Sequence, residues 1–185
     1  MRGLVERPKG LTYVSAALSP AEEARLLQTV RGLDFSEVRM HGQVARRVVR
    51  HYGASYDFDS GAVSPGEPLP HWLSDLRALA GRLLGREPDQ LAEALVTRYP
   101  PGATIGWHRD APAFGAVVGV SLGTPCLLRF QRGSGAQRRI FEQRVEPRSA
   151  YVLAGEARTS WQHSIPPVPA ERYSVTFRTL RTAFR

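Results

Sequence analysis

A single cysteine, Cys126, is all that this 185-residue chain contains, so an intrachain disulfide is excluded. Its place in the apolar run Cys126-Leu127-Leu128 predicts a buried thiol rather than a nucleophile. Lysine is equally scarce: Lys9 is the only one among 25 Lys and Arg residues. Long apolar runs are missing too, and nothing approaches the roughly 20 residues of a membrane helix. Met1-Arg2-Gly3-Leu4-Val5-Glu6 has neither the apolar core nor the cleavage site of a signal peptide, so a cytoplasmic protein without a membrane partner is expected. Internal repeats and linker-like stretches are also absent. The length and the 42% hydrophobic content fit one domain over residues 1–185 with a substantial core. A monomer is the simplest expectation.

What the chain has in excess is positive charge, +8 with a pI near 10.5, which favours an anionic partner such as a nucleic acid backbone. Because a GC-rich genome also enriches arginine, clustering says more than the total. Arg39, His41, Arg46, Arg47, Arg50 and His51 crowd into one stretch before Tyr52-Gly53. A plain solvated basic face is the alternative reading of this stretch.

The pattern of elements changes along the chain. Ser19-Pro20-Ala21-Glu22 reads as a capping box with proline at the first helical position, opening a helix to about Gly32 that buries Leu26, Leu27 and Val30. Trp72, Leu73, Leu76, Leu79, Ala80 and Leu83 recur at helical spacing and predict a second helix. Between them Arg46 to Phe58 is strand-like, and Ser60 to Pro70 reads as a Gly/Pro-rich loop. From Leu91 onward short strands are predicted at 95–99, 117–122, 127–131, 139–145, 150–153 and 173–179. The expected fold class is therefore mainly β with flanking helices, a double-stranded β-helix or jelly-roll core buttressed by two helices from the N-terminal half. Residues 1–90 would supply helical support and a lid, and 91–185 the jelly-roll core.

Chemistry concentrates in two places. His108 and Asp110 stand one residue apart, so on an extended strand they share a face, and His163 follows much later. Two imidazoles and a carboxylate make the facial triad that leaves half an iron coordination sphere open. His-x-Asp alone is common, and a solvated loop is its bland reading. In Arg172-Tyr173-Ser174-Val175-Thr176-Phe177-Arg178 the apolar and polar residues alternate, placing both arginines and two hydroxyls on one strand face. Such a face suits a dicarboxylate, which guanidinium groups bind by bidentate, charge-assisted hydrogen bonds.

These pieces resemble the AlkB family of Fe(II)- and 2-oxoglutarate-dependent dioxygenases. The matching residues are Thr97-Arg98-Tyr99-Pro100-Pro101-Gly102, Ile105 to Asp110, Val120-Ser121-Leu122-Gly123, Leu128-Arg129-Phe130, Gly155-Glu156-Ala157-Arg158, His163, and Arg172 to Arg178, about the C-terminal half of the chain. The family's closing pattern is Arg-x-Asn-x-Thr-x-Arg; Ser174 stands at its asparagine, and Thr97 where many members have another.

The resemblance implies that His108, Asp110 and His163 bind Fe(II), and that Arg172, assisted by Tyr99 and more weakly by Ser174, pairs with the distal carboxylate of 2-oxoglutarate. Arg178 would lie nearer the metal, steadying Asp110 or the cosubstrate's other carboxylate. The alternative is a surface Arg172 and a Tyr99 that merely packs. Trp107 and Trp161 read as packing residues. The implied reaction consumes O2 and 2-oxoglutarate and hydroxylates an N-alkyl carbon, which is lost as an aldehyde. The stretch with Arg46, Arg47, Arg50, His51 and Tyr52 would form the lid that contacts single-stranded DNA or RNA. Repair enzymes of the family carry an acidic residue two positions after the metal-binding aspartate; here that place is Pro112. A 2-oxoglutarate-dependent hydroxylase or demethylase acting on a protein or small molecule, and a nucleic-acid-binding module without turnover, are the competing readings.

Overall fold

The computed structural model describes residues 6–40, 43–57 and 59–181. The chain runs through β1 (Leu11–Val14), α1 (Pro20–Arg31), β2 (Ser36–Met40), β3 (Gln43–Tyr56), β4 (Val63–Pro65), α2 (Ser74–Leu84), β5 (Leu91–Tyr99), β6 (Ile105–His108), β7 (Phe114–Leu122), β8 (Cys126–Arg132), β9 (Arg139–Val145), β10 (Ala150–Leu153), α3 (Gly155–Thr159), β11 (Gln162–Ile165) and β12 (Arg172–Leu180). The strands form two sheets. The larger has the order β1-β10-β7-β12-β5-β3-β2, with β4 paired to β3, and the smaller is β6-β11-β8-β9. Described pairings are antiparallel throughout. This is the expected jelly roll.

Both expected helices form. At the start of α1 the Glu22 amide donates to Ser19 Oγ (3.2 Å) while the Ser19 amide donates to Glu22 Oε2 (2.7 Å), a reciprocal cap that satisfies two otherwise orphaned amides. Helix α2 stops at Gly85, which takes the left-handed conformation (φ 61) that costs glycine no steric strain. Leu26, Leu27 and Val30 of α1, with Leu76 and Ala80 of α2, pack against Ala94, Val96, Val118, Val120, Val175 and Phe177 of the larger sheet. That face is a conventional apolar core. On the opposite face Tyr99, Val117, Tyr151 and Leu153 meet Leu128, Phe130 and Ile165 of the smaller sheet.

The elements not anticipated are β1, β2, β4, α3 and β11, and β4 lies within the stretch Ser60 to Pro70 that was expected to be a loop. The first 90 residues therefore give the larger sheet β1 to β4 as well as its helical support. Residues 46–56 belong to one long strand, β3 (Gln43–Tyr56), which ends before Asp57, while Phe58 lies outside the described residues. Cys126 is buried, and burial pushes its thiol pKa up. Among the described residues no helix is long and apolar enough to cross a membrane.

Candidate active site

The antiparallel register of β6 and β11 sets His163 directly opposite His108, with ring centroids 4.3 Å apart. Strand β6 ends at His108, so Asp110 lies in the following loop rather than on the same strand as expected. Donor atoms of His108, Asp110 and His163 nevertheless all lie within 4.8 Å of one another. His108 Nδ1 donates to the Gly106 carbonyl at 2.9 Å, which leaves Nε2 as its lone-pair nitrogen. Asp110 Oδ1 accepts from Arg178 Nε (3.2 Å) and Nη2 (2.9 Å), whereas Oδ2 is buried without a hydrogen-bond partner. A buried carboxylate oxygen beside two imidazoles, 3.6 Å from His163 Nε2, fits a divalent cation.

Electrostatics favour the ligating forms. Burial alone would raise the pKa of Asp110, but Arg178, His163 and His108 outweigh it and hold the carboxyl well below the usual carboxylate range. Burial pushes His163 down to about 4, and the nearby Asp110 carboxylate only partly offsets this. Near neutral pH the cluster is thus one carboxylate and one neutral buried imidazole beside His108.

Two further residues hold this corner: Arg158, which the sequence offered only as part of a matching motif without a role, and Glu93, which was not singled out. Arg158 Nη2 donates to the carbonyls of Asp110 (3.3 Å), Ala111 (2.8 Å) and Phe114 (2.8 Å), pinning the loop that carries the carboxylate. Glu93, on β5 opposite Arg178, accepts from Arg178 Nη1 at 2.7 Å. A glutamate inside the apolar run Leu91-Ala92-Glu93-Ala94-Leu95-Val96 was the available signal.

The polar face of β12 points between the sheets. Arg172 is fully buried; its Nε and Nη2 donate to Ser121 Oγ at 3.2 and 3.0 Å, its guanidinium lies 4.8 Å from the Tyr99 ring centre, and Nη1 has no partner. Ser174 stands in register with Thr97 on one side and Ser121 on the other. Tyr151 closes the same region. Its ring crosses Gly119, where an added Cβ would fall 2.2 Å from Tyr151 Cζ.

A cavity of about 690 Å³ opens between the sheets. The triad, Tyr99, Tyr151 and Arg178 line it, and Arg39, Arg47, His51 and Arg109 stand on its walls. Alternation along β3 divides the basic stretch. Arg47 and His51 face the cavity, whereas Tyr52 is buried on the helix side against Trp72, and Arg50 lies over the Tyr52 ring and pairs with Glu67. Arg46 is exposed and reaches towards Gly102. His41 lies outside the described residues. Trp161 is buried in the inter-sheet core, and Trp107 packs beside the Arg129 and Arg138 guanidiniums, 5.3 and 5.8 Å from its ring centre.

A jelly roll thus carries a His-Asp-His cluster at its mouth and, behind it, a buried arginine with one nitrogen left without a hydrogen bond. The chain belongs to the 2OG-Fe(II) oxygenase superfamily, whose family model matches residues 10–181. Within it the chain is AlkB-like. It is 31% identical over 169 residues to the tRNA (carboxymethyluridine(34)-5-O)-methyltransferase alkbh8 of Xenopus tropicalis, covering 86% of this chain and 26% of that protein. It is 30% identical over 128 residues to the alpha-ketoglutarate-dependent dioxygenase AlkB of Escherichia coli, covering 62% and 57% of the two chains. The chain spans about a quarter of the length of its vertebrate relatives. The solved structure of OsALKBH1 superposes with a TM-score of 0.69 at 15% identity, covering 95% of this chain and 99% of that one, a likeness of fold.

Proposed function

We propose that this dioxygenase oxidatively removes N-alkyl groups from bases in single-stranded DNA or RNA. In this reading His108, Asp110 and His163 ligate the iron, and Arg172 with Tyr99 receives the distal carboxylate of 2-oxoglutarate. Ser174 sits behind them. The observation that carries the reading is a pair of complementary buried atoms between the sheets that make no hydrogen bond, Asp110 Oδ2, 3.6 Å from His163 Nε2, and Arg172 Nη1. The first suits a metal ion and the second a carboxylate, because each is buried at a cost that only its missing partner relieves.

Bound iron, with O2 and 2-oxoglutarate, supplies the oxidation. Cosubstrate loses CO2 and becomes succinate, and the substrate N-methyl carbon leaves as formaldehyde while its nitrogen regains a proton. The chain's own contribution is placement. Arg178 and Arg158 fix Asp110 and its loop, the apolar walls at Val117, Leu128 and Ile165 keep water out, and Arg39, Arg47, Arg109 and His51 offer cationic or donor groups at the substrate side. A target base must be unpaired or flipped to enter. The hairpin of β2 and β3 is the recognition lid, and the strands from residue 91 onward carry the catalytic core. The naming of a relative for tRNA supports nucleic acid as substrate class, as does the net charge of +8.

The test is an aerobic incubation of the protein with Fe(II) and 2-oxoglutarate against N-methylated single-stranded DNA, N-methylated RNA and methylated peptides. Formaldehyde and a mass loss of one methylene from an oligonucleotide are expected. Turnover confined to peptides or small molecules would overturn the nucleic-acid assignment. Succinate formation abolished by none of His108→Ala, Asp110→Ala or His163→Ala would overturn the site.

A further inference from the structure

Glu93 is a buried carboxylate, 3% exposed, that the proposed chemistry does not use. It touches two groups. Arg178 Nη1 donates to Oε2 at 2.7 Å, and His51 Nδ1 lies 3.4 Å from Oε1. His51 is two residues along β3 from Gly53, the register partner of Glu93, so the contact is a diagonal cross-strand pair. On its other side Arg178 spends Nε and Nη2 on Asp110 Oδ1. The result is a continuous chain, His51, Glu93, Arg178 and Asp110, running from the cavity wall to the carboxylate of the triad.

We propose that Glu93 is a positioning residue: by pinning one arm of Arg178 it confines that guanidinium to Asp110 Oδ1, so that Oδ2 stays free for the metal. The argument is geometric. A guanidinium and a carboxylate prefer a bidentate pairing in which both oxygens accept. Arg178 reaches Asp110 through two nitrogens, yet both donate to the same oxygen. Glu93 holds the third nitrogen on the opposite strand and keeps the fork from turning. Arg178 stands between two buried carboxylates, 2.7 Å from Glu93 Oε2 and 2.9 Å from Asp110 Oδ1. Without Glu93 the guanidinium is free to swing onto both oxygens of Asp110 and compete with the metal. His51, half-exposed on the cavity wall, ties the same carboxylate to the lid strand.

This inference rests on Asp110 being a metal ligand, and a Co(II) titration of the whole protein without substrate separates the two. Asp110→Ala is the reference and should abolish Co(II) binding; retained binding would overturn the ligand assignment itself. Glu93→Ala should weaken Co(II) binding roughly 10-fold, the usual scale for a partner that orients a ligand. It should also change the visible absorption of the Co(II) protein. Glu93→Gln keeps an acceptor for Arg178 and should retain most of the affinity, which also guards against a misfolded Ala variant. In an Arg178→Ala background the Glu93→Ala change should add little, because one residue acts through the other. Wild-type affinity and spectrum in both Glu93 variants, or additive effects in the double mutant, would overturn the proposal.

Discussion

At the scale of single residues the arrangement is one of unsatisfied groups waiting for partners. Arg172→Ala should weaken 2-oxoglutarate binding by about 2–5 kcal/mol, the cost of leaving a buried charge without its counterpart. Cosubstrate titration by calorimetry measures it, and unchanged affinity would transfer the role to another arginine. His163 gives a pH prediction for the metal-free protein. Its folded pKa is depressed to about 4, below the roughly 6.5 of an unfolded imidazole. Between those values the unfolded chain takes up a proton that the folded one refuses, so this group makes stability fall as pH drops from about 6.5 towards 4. Thermal melts of wild type and His163→Gln across that window should show the wild-type dependence to be steeper.

At the scale of elements, strand alternation decides which side chains reach the site. Arg39 and Arg47 face the cavity and Arg50 does not. Replacing Arg39 and Arg47 by Ala should flatten the log–log salt dependence of single-stranded oligonucleotide binding by about 1.4, at roughly 0.7 per lost phosphate contact, while Arg50→Ala leaves the slope where it was. Strand β7 offers a steric counterpart. Gly119→Ala forces the Tyr151 ring to move and should cost about 1–3 kcal/mol of stability. Gly106→Ala, whose methyl meets nothing within 4 Å, should stay within about 0.5 kcal/mol. Denaturant unfolding distinguishes them. The same alternation explains what could be read from the sequence. Arg172 and Arg178 share a face because period two is local, and the helices were legible, α1 from its cap and α2 from its apolar spacing. Asp110 was reached for a partly wrong reason, since the strand stops at His108 and Arg158 holds the loop beyond it. Glu93 and Arg158 act across 85 and 44 to 48 positions of chain, and no local pattern announces such a pairing.

At the scale of the whole molecule, binding and folding are linked. Metal and 2-oxoglutarate engage groups that the folded chain alone brings together, so each at 100 times its dissociation constant should stabilise the protein by about 2.7 kcal/mol. A melting temperature raised by Mn(II) with 2-oxoglutarate and returned to the starting value by chelator is the expected result; no shift would mean that the cavity does not take them. The two faces of the larger sheet separate these duties from those of the core. Helices α1 and α2 cover one face with an apolar cluster, while Val38, Arg39, Arg47, Asp59 and Arg109, around the other, belong to neither cluster. Inheritance follows from that division: a lineage carrying this scaffold can exchange the side chains at its entrance generation after generation, trading one guest for another, without disturbing the half of the sheet that keeps it folded.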